Sequence, residues 1–281
     1  MSDMSAYLRL VLYPDPGTLK TDNPGATGIL RWLVFVAATL LLVACASSPS
    51  SDKEQARLKE AAKLNVELGV GYLNEGDLEL SKVKLERALE QDPELSSAHW
   101  SYALLQMRLG DKKLAEKYLK QAIDLNPNDA RARNNYGFLL CNEGRVEEAE
   151  KQFLLAARNP LYKTPAVAYT NAGLCLLKID GREKAERYFR AALEATPSYA
   201  PALYQLAKLT FEQGKYLQSR AFMQRYAQST DHSSQSLWLS YRIERHLGNR
   251  GTAEAFASQL KDRFPDSPEA TKLLELERHG R

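Results

Sequence analysis

Cysteine is scarce in this chain, with three in 281 residues, and so is most of what builds a reactive centre. The four histidines, His99, His232, His246 and His279, stand apart without metal-ligand spacing. There is no G-x-S-x-G, no H-E-x-x-H, no phosphate-cradling glycine loop and no cysteine pair suited to zinc. Paired acids such as Glu147 and Glu148 open a helical pattern, where negative charge favours the helix dipole. The sequence therefore predicts no catalysis, no cofactor, no metal site and no small-molecule substrate. Charge of one sign is lacking too. The net charge is +3, spread along the chain with no Lys/Arg cluster to track phosphates, which argues against a nucleic-acid partner. A membrane-crossing run is also missing: the apolar stretch 32–44 has 13 residues, short of the roughly 20 a spanning helix needs.

That short stretch is informative for what surrounds it. It follows Arg31 and closes at Leu42-Val43-Ala44-Cys45, the layout of a bacterial secretory signal. The closing tetrapeptide resembles the lipobox of bacterial lipoproteins. The resemblance implies that the Cys45 thiol receives a diacylglycerol, that the chain is cut before Cys45, and that the new amine is acylated. Two or more acyl chains give stable anchoring, where one holds only marginally. Ala46, in place of an acidic residue, implies an outer-membrane destination, with the protein facing the periplasm. Residues 1–30, which carry Pro14, Pro16 and Pro24, form either a long leading region or an extension upstream of the true start. The expected organisation is an extension and signal over 1–44, a lipidated cysteine and linker over 45–61, and one folded region over 62–281. Cys141 and Cys175 could pair in an oxidising compartment. Both sit in helical patterns among apolar neighbours, so buried free thiols are the expectation.

The folded region repeats itself. Gly76, Gly110 and Gly144 stand 34 residues apart, and Gly214 and Gly248 keep that step. Asp180 fills the missing place after a two-residue insertion near Pro160 and Pro165. Five residues after each of these come Ser81, Ala115, Ala149, Ala185, Ser219 and Ala253. Seven before them stand Gly69, Ala103, Gly137, Gly173, Ala207 and, as an exception, Tyr241. A large residue follows nine after the turn: Leu85, Leu119, Phe153, Phe189 and Met223. Pro93, Pro127, Pro197 and Pro265 close units where a helix must stop. Small residues at fixed phase let two helices approach, and the large residue fills the space beside them. This predicts an all-α array of helix-turn-helix units.

The pattern resembles the tetratricopeptide repeat (TPR), which implies a right-handed superhelical solenoid of about six repeats. They fall near 62–95, 96–129, 130–163, 166–199, 200–233 and 234–267, with a polar capping helix over 268–279. In TPR proteins, ligand contacts come mainly from the second, fifth, ninth, twelfth and thirteenth positions of each repeat. By that likeness the candidate partner-binding residues are Val66, Val70, Leu73, Trp100, Met107, Arg108, Asn134 and Phe138. Two readings stand side by side. Apolar residues at helical spacing are core, as expected for Leu104 and Leu174. Alternatively, Val66, Val70, Leu73, Trp100, Met107 and Phe138 form an apolar trough suited to a partner helix with i, i+4, i+7 anchors. Repeats that clamp a free carboxylate use lysine and asparagine where repeat one has Val66 and Val70. An acidic tail would meet no compensating charge there.

Over nearly all of residues 45–281 the chain also resembles the PilF/PilW family of type IV pilus biogenesis lipoproteins, the secretin pilotins. The resemblance rests on the tetrapeptide ending at Cys45, the Ser/Pro linker and three stretches: Leu68-Gly69-Val70-Gly71-Tyr72-Leu73, Asn134-Asn135-Tyr136-Gly137-Phe138-Leu139-Leu140-Cys141 and Ala168-Tyr169-Thr170-Asn171-Ala172-Gly173-Leu174-Cys175. It implies a non-enzymatic role: binding pilus secretin subunits, delivering them to the outer membrane and promoting their multimerisation. The alternative is a general envelope scaffold that organises cell-wall hydrolases or outer-membrane protein assembly.

Overall fold

The computed structural model describes residues 49–279. Residues 58–281 form one compact unit, which holds the repeat array. Among the described residues there are thirteen helices and no strand. Six are the first helices of helical pairs: α1 (Pro49–Glu75), α3 (Ser96–Leu109), α5 (Ala130–Asn142), α7 (Pro165–Leu177), α9 (Ala200–Glu212) and α11 (Ser234–His246). Their partners are α2 (Leu78–Gln91), α4 (Lys112–Leu125), α6 (Val146–Ala157), α8 (Arg182–Ala195), α10 (Tyr216–Ser229) and α12 (Arg250–Arg263). The last helix, α13 (Pro268–His279), packs on α11 and α12. The first helix begins at Pro49, inside the stretch expected as a linker. Proline is tolerated in a first helical turn, and Lys53, Glu54, Gln55, Ala56 and Arg57 are all good helix formers.

Each hairpin turns through a residue with positive φ. Gly110 is the clearest case: it caps α3 at φ 87° and its N–H reaches back to the carbonyls of Gln106 and Met107. Asp180 takes the same role at φ 58°, in the place where the sequence pattern put it. An aspartate visits this region at modest cost because its side chain is short and polar. Asp77 and Asp111, next after their glycines, cap the second helices by accepting hydrogen bonds from the N–H groups of Leu80 and Leu114, both at 2.9 Å.

Close approach within each pair follows from the small residues. Gly69, Gly137 and Gly173 lie against Leu85, Phe153 and Phe189, leaving no room for a Cβ. Ser81 and Ser219 are fully buried, and each hydroxyl donates to a carbonyl of the facing helix, Gly69 at 2.9 Å and Ala207 at 2.6 Å. That bond removes the penalty of burying an unpaired hydroxyl. The core runs on from pair to pair: one apolar cluster extends from Trp100 to Ile243, and a second, around Leu237, Ala257 and Leu273, joins α13 to the last pair.

One expectation is corrected. Cys141 and Cys175 are joined in a disulfide, with their Cα atoms 5.7 Å apart. The first helices α5 and α7 pack against each other, and this brings the two buried sulfurs face to face. Apolar neighbours describe each cysteine singly and do not reveal that the other is one of them.

Candidate functional site: the face of the first helices

The first helices of neighbouring repeats touch along the array: α3 with α5, α5 with α7, α7 with α9, and α9 with α11. Residues of one phase therefore make a line from repeat to repeat. Exposure separates these lines. At the fifth position Val66, Trp100, Asn134 and Thr170 are all buried, at 7%, 8%, 8% and 3% exposure. At the ninth position Val70 and Leu104 are half-buried, whereas Phe138, Leu174, Lys208 and Arg242 are exposed. The thirteenth position is mostly open, through Asn74, Arg108, Asn142, Glu212 and His246.

The expected trough is thus divided by phase. Val66 packs with Ala88 and Ala98, Leu73 with Leu85, Tyr102 and Leu105, and Trp100 belongs to the main cluster. The Asn134 carboxamide oxygen accepts from Asn171 at 3.1 Å, tying repeat three to repeat four. These four residues hold repeats together in the free chain. Met107 is half-buried against the main cluster, and Arg108 is exposed beside it. Leu174, expected as core, is 38% exposed, and Phe138 is 47% exposed. Both follow directly after the glycine that faces the second helix, so their side chains leave the hairpin interface on its open side. The surface line is therefore Val70, Leu104, Phe138 and Leu174, apolar over four repeats and then cationic at Lys208 and Arg242. Lys208 and Arg242 were not among the residues singled out from sequence. Counting the ninth position through to repeats five and six would have found them. Cys45 lies outside the described residues.

The flank of the array is held by charge. Glu116 accepts from Lys120, Arg145 and the Tyr136 hydroxyl, each at 2.9 Å. The Lys120 bond leads in pulling the Glu116 carboxyl down to about 2, with Arg145 and Tyr136 adding to it against the opposing effect of burial. One repeat on, Glu150 accepts from Lys184 and from the Tyr188 hydroxyl. Burial, first, and that carboxylate, second, raise the Tyr188 phenol well above its usual range. Through Arg145, Tyr136, Lys184 and Tyr188 these carboxylates link neighbouring repeats. Among the described residues no three His, Cys, Asp or Glu side chains gather as a metal site would require.

Comparisons with known proteins agree with this architecture. Tetratricopeptide repeat family models match residues 96–129, 118–151 and 171–234. The type IV pilus assembly protein PilF of Pseudomonas aeruginosa is 31% identical over 239 residues, which is 84% of this chain and 94% of that protein. A solved structure of P. aeruginosa PilF superposes with a TM-score of 0.69 at 30% identity, covering 78% of this chain and 98% of the other. The crystal structure of PilW, a widely conserved type IV pilus biogenesis factor, gives a TM-score of 0.66 at 28% identity, with coverage of 76% and 98%.

Proposed function

Because the chain belongs to the PilF family of tetratricopeptide-repeat proteins in type IV pilus biogenesis, we propose that it binds subunits of the pilus secretin along its first helices. In this reading a lipid on Cys45 holds it to the outer membrane on the periplasmic side, where it promotes secretin multimerisation. The role is binding rather than catalysis.

The observation that carries the reading is the exposed apolar line at the ninth position. Two large apolar side chains, Phe138 and Leu174, stand free on adjacent helices, continued by the half-buried Leu104 and Val70. A contiguous apolar strip with polar surroundings marks a protein-docking surface, and an amphipathic segment presenting periodic anchors fits it. Adjustable packing from Met107 beside the strip suits such a partner. The lipid confines the protein to one surface, which raises the local concentration of whatever it holds.

The test is a pull-down from detergent-solubilised outer membrane with wild type and Phe138→Asp. Recovery of a secretin by wild type and its loss with the variant supports the reading. Equal recovery moves the site off the apolar line. Recovery of only cell-wall enzymes or barrel-assembly proteins overturns the secretin assignment.

A further inference from the structure

The charge at the far end of the array has a chemistry of its own. A cavity of about 450 Å³ opens between α11 and α13, with Trp238, Tyr241, Arg242, Arg245, Leu276 and Glu277 among its walls. Trp238 and Tyr241 stack at 5.5 Å with an interplanar angle of 20°, which gives the cavity an aromatic side. Arg242 is held over rings: its guanidinium carbon lies 4.4 Å from the Phe211 centroid and 6.0 Å from that of Trp238. Such stacking fixes a guanidinium in place while leaving its N–H edge free to donate.

The acid that lines the cavity is already engaged, since Glu277 accepts from Lys261 at 3.1 Å. Among the described residues no carboxylate lies within 4.0 Å of Arg242 or Arg245. This sets them apart from Arg145, Arg182 and Arg190, each of which meets a glutamate or aspartate. A cation in the last turn of α11 suits the helix dipole, and that accounts for Arg245. It does not account for Arg242, which sits earlier in the helix on the ninth-position line, in register with Phe138, Leu174 and Lys208.

We propose that this cavity takes the carboxylates of an acidic protein segment, and that the segment continues the one whose apolar part lies on Phe138 and Leu174. The second half rests on the function proposed above; the first does not. Three features favour a peptide over a lipid headgroup. The cations continue an apolar line instead of forming a separate patch. The aromatic walls suit the aliphatic stems of glutamate. The paired arginines present forked donors to planar carboxylates. The array therefore reads its partner with a direction: apolar anchors over repeats one to four, acids over five and six.

The experiment uses a fluorescein-labelled nonapeptide of glutamate and leucine, its counterpart with glutamine at every glutamate, and phosphatidylglycerol vesicles. Binding to the purified protein is followed by anisotropy or sedimentation, for wild type and for Arg242→Glu/Arg245→Glu. Both arginines are exposed, so the variant is expected to stay folded, with a midpoint lowered slightly by the lost ring stacking and helix-dipole contacts. The glutamate peptide should bind wild type at least about tenfold more tightly than the glutamine peptide. That preference should disappear in the variant and weaken as salt rises from about 0.05 to about 0.15 M. Equal affinity for the two peptides, or a preference that survives charge reversal, overturns the proposal. So does a result in which only vesicle binding distinguishes the two proteins, because the site then meets membrane. Failure of wild type to capture a secretin, with glutamate-peptide binding intact, faults the proposed function and leaves carboxylate recognition standing.

Discussion

Gly137 lies against the ring of Phe153 so closely that a Cβ at Gly137 would come within 2.8 Å of the ring and 3.1 Å of the Ala149 carbonyl oxygen. Phe153 is 1% exposed and cannot swing out of the core. Gly137→Leu gains about 1 kcal/mol of helix propensity over glycine, but forces α5 and α6 apart. A net loss of about 1–3 kcal/mol is expected, read as a lower thermal midpoint. Adding Phe153→Leu should recover part of it. An unaltered midpoint in Gly137→Leu would refute the packing register.

The disulfide between Cys141 and Cys175 closes a loop of sequence separation 34, so it restricts the unfolded chain. Cys141→Ser/Cys175→Ser should lower stability by about 2–4 kcal/mol. A reducing agent should lower wild type toward the level of the variant and leave the variant unmoved. If reduction changes neither protein, the thiols are free in solution.

How much of this could be read in the sequence divides along a physical line. The turn at Asp180 and the pairing of Gly137 with Phe153 were legible because backbone geometry dictates them: a positive φ or a missing Cβ admits few residue types. The free face was not. Val66 and Phe138 are both apolar and both at ligand-contact positions of the repeat. Yet the fifth position turns toward a neighbouring repeat and the ninth turns away. Which residue is covered depends on a neighbour more than thirty residues along the chain, and periodicity within one helix carries no record of it. The Cys141–Cys175 pair was hidden for the same reason.

Glu116 links stability to pH. Its carboxyl is lowered to about 2 in the folded protein, below its value in the unfolded chain, so the unfolded state binds the proton first on acidification. The contribution is present in full above about pH 4.5 and is lost as pH falls toward about 2. Glu116→Gln should cost about 1 kcal/mol at neutral pH, allowing for solvent screening. The difference in midpoint between wild type and variant should shrink steadily below about pH 4.5. A difference that stays constant with pH would mean the ion pairs are not formed.

Trp100 and Phe138 offer a contrast within the same candidate groove. Trp100 is 8% exposed and part of the main core, while Phe138 is 47% exposed. Trp100→Asp buries an unpaired charge and removes a large apolar side chain, so a loss of about 3–5 kcal/mol is expected. Phe138→Asp, which gives up the covered half of one ring, should cost only about 1 kcal/mol and abolish partner capture. Only the second variant reports on binding without confounding it with folding. If Phe138→Asp melts as far below wild type as Trp100→Asp, the ninth position is packed in solution.

In the proposed function, Cys45 sets where the protein resides. The apolar run before it has 13 residues, too short to cross a bilayer as a helix, which needs about 20. The proposed anchor is therefore acyl chains, at about 0.8 kcal/mol per buried CH2. Cys45→Ala removes the acceptor thiol and should send the protein to the soluble or inner-membrane fraction. Its thermal midpoint should be unchanged, because the position lies well before the repeats. Secretin multimers should then fall in the outer membrane even though Phe138 and the rest of the apolar line are intact. Outer-membrane fractionation unchanged from wild type would overturn the lipid anchor and leave the repeat array as it stands.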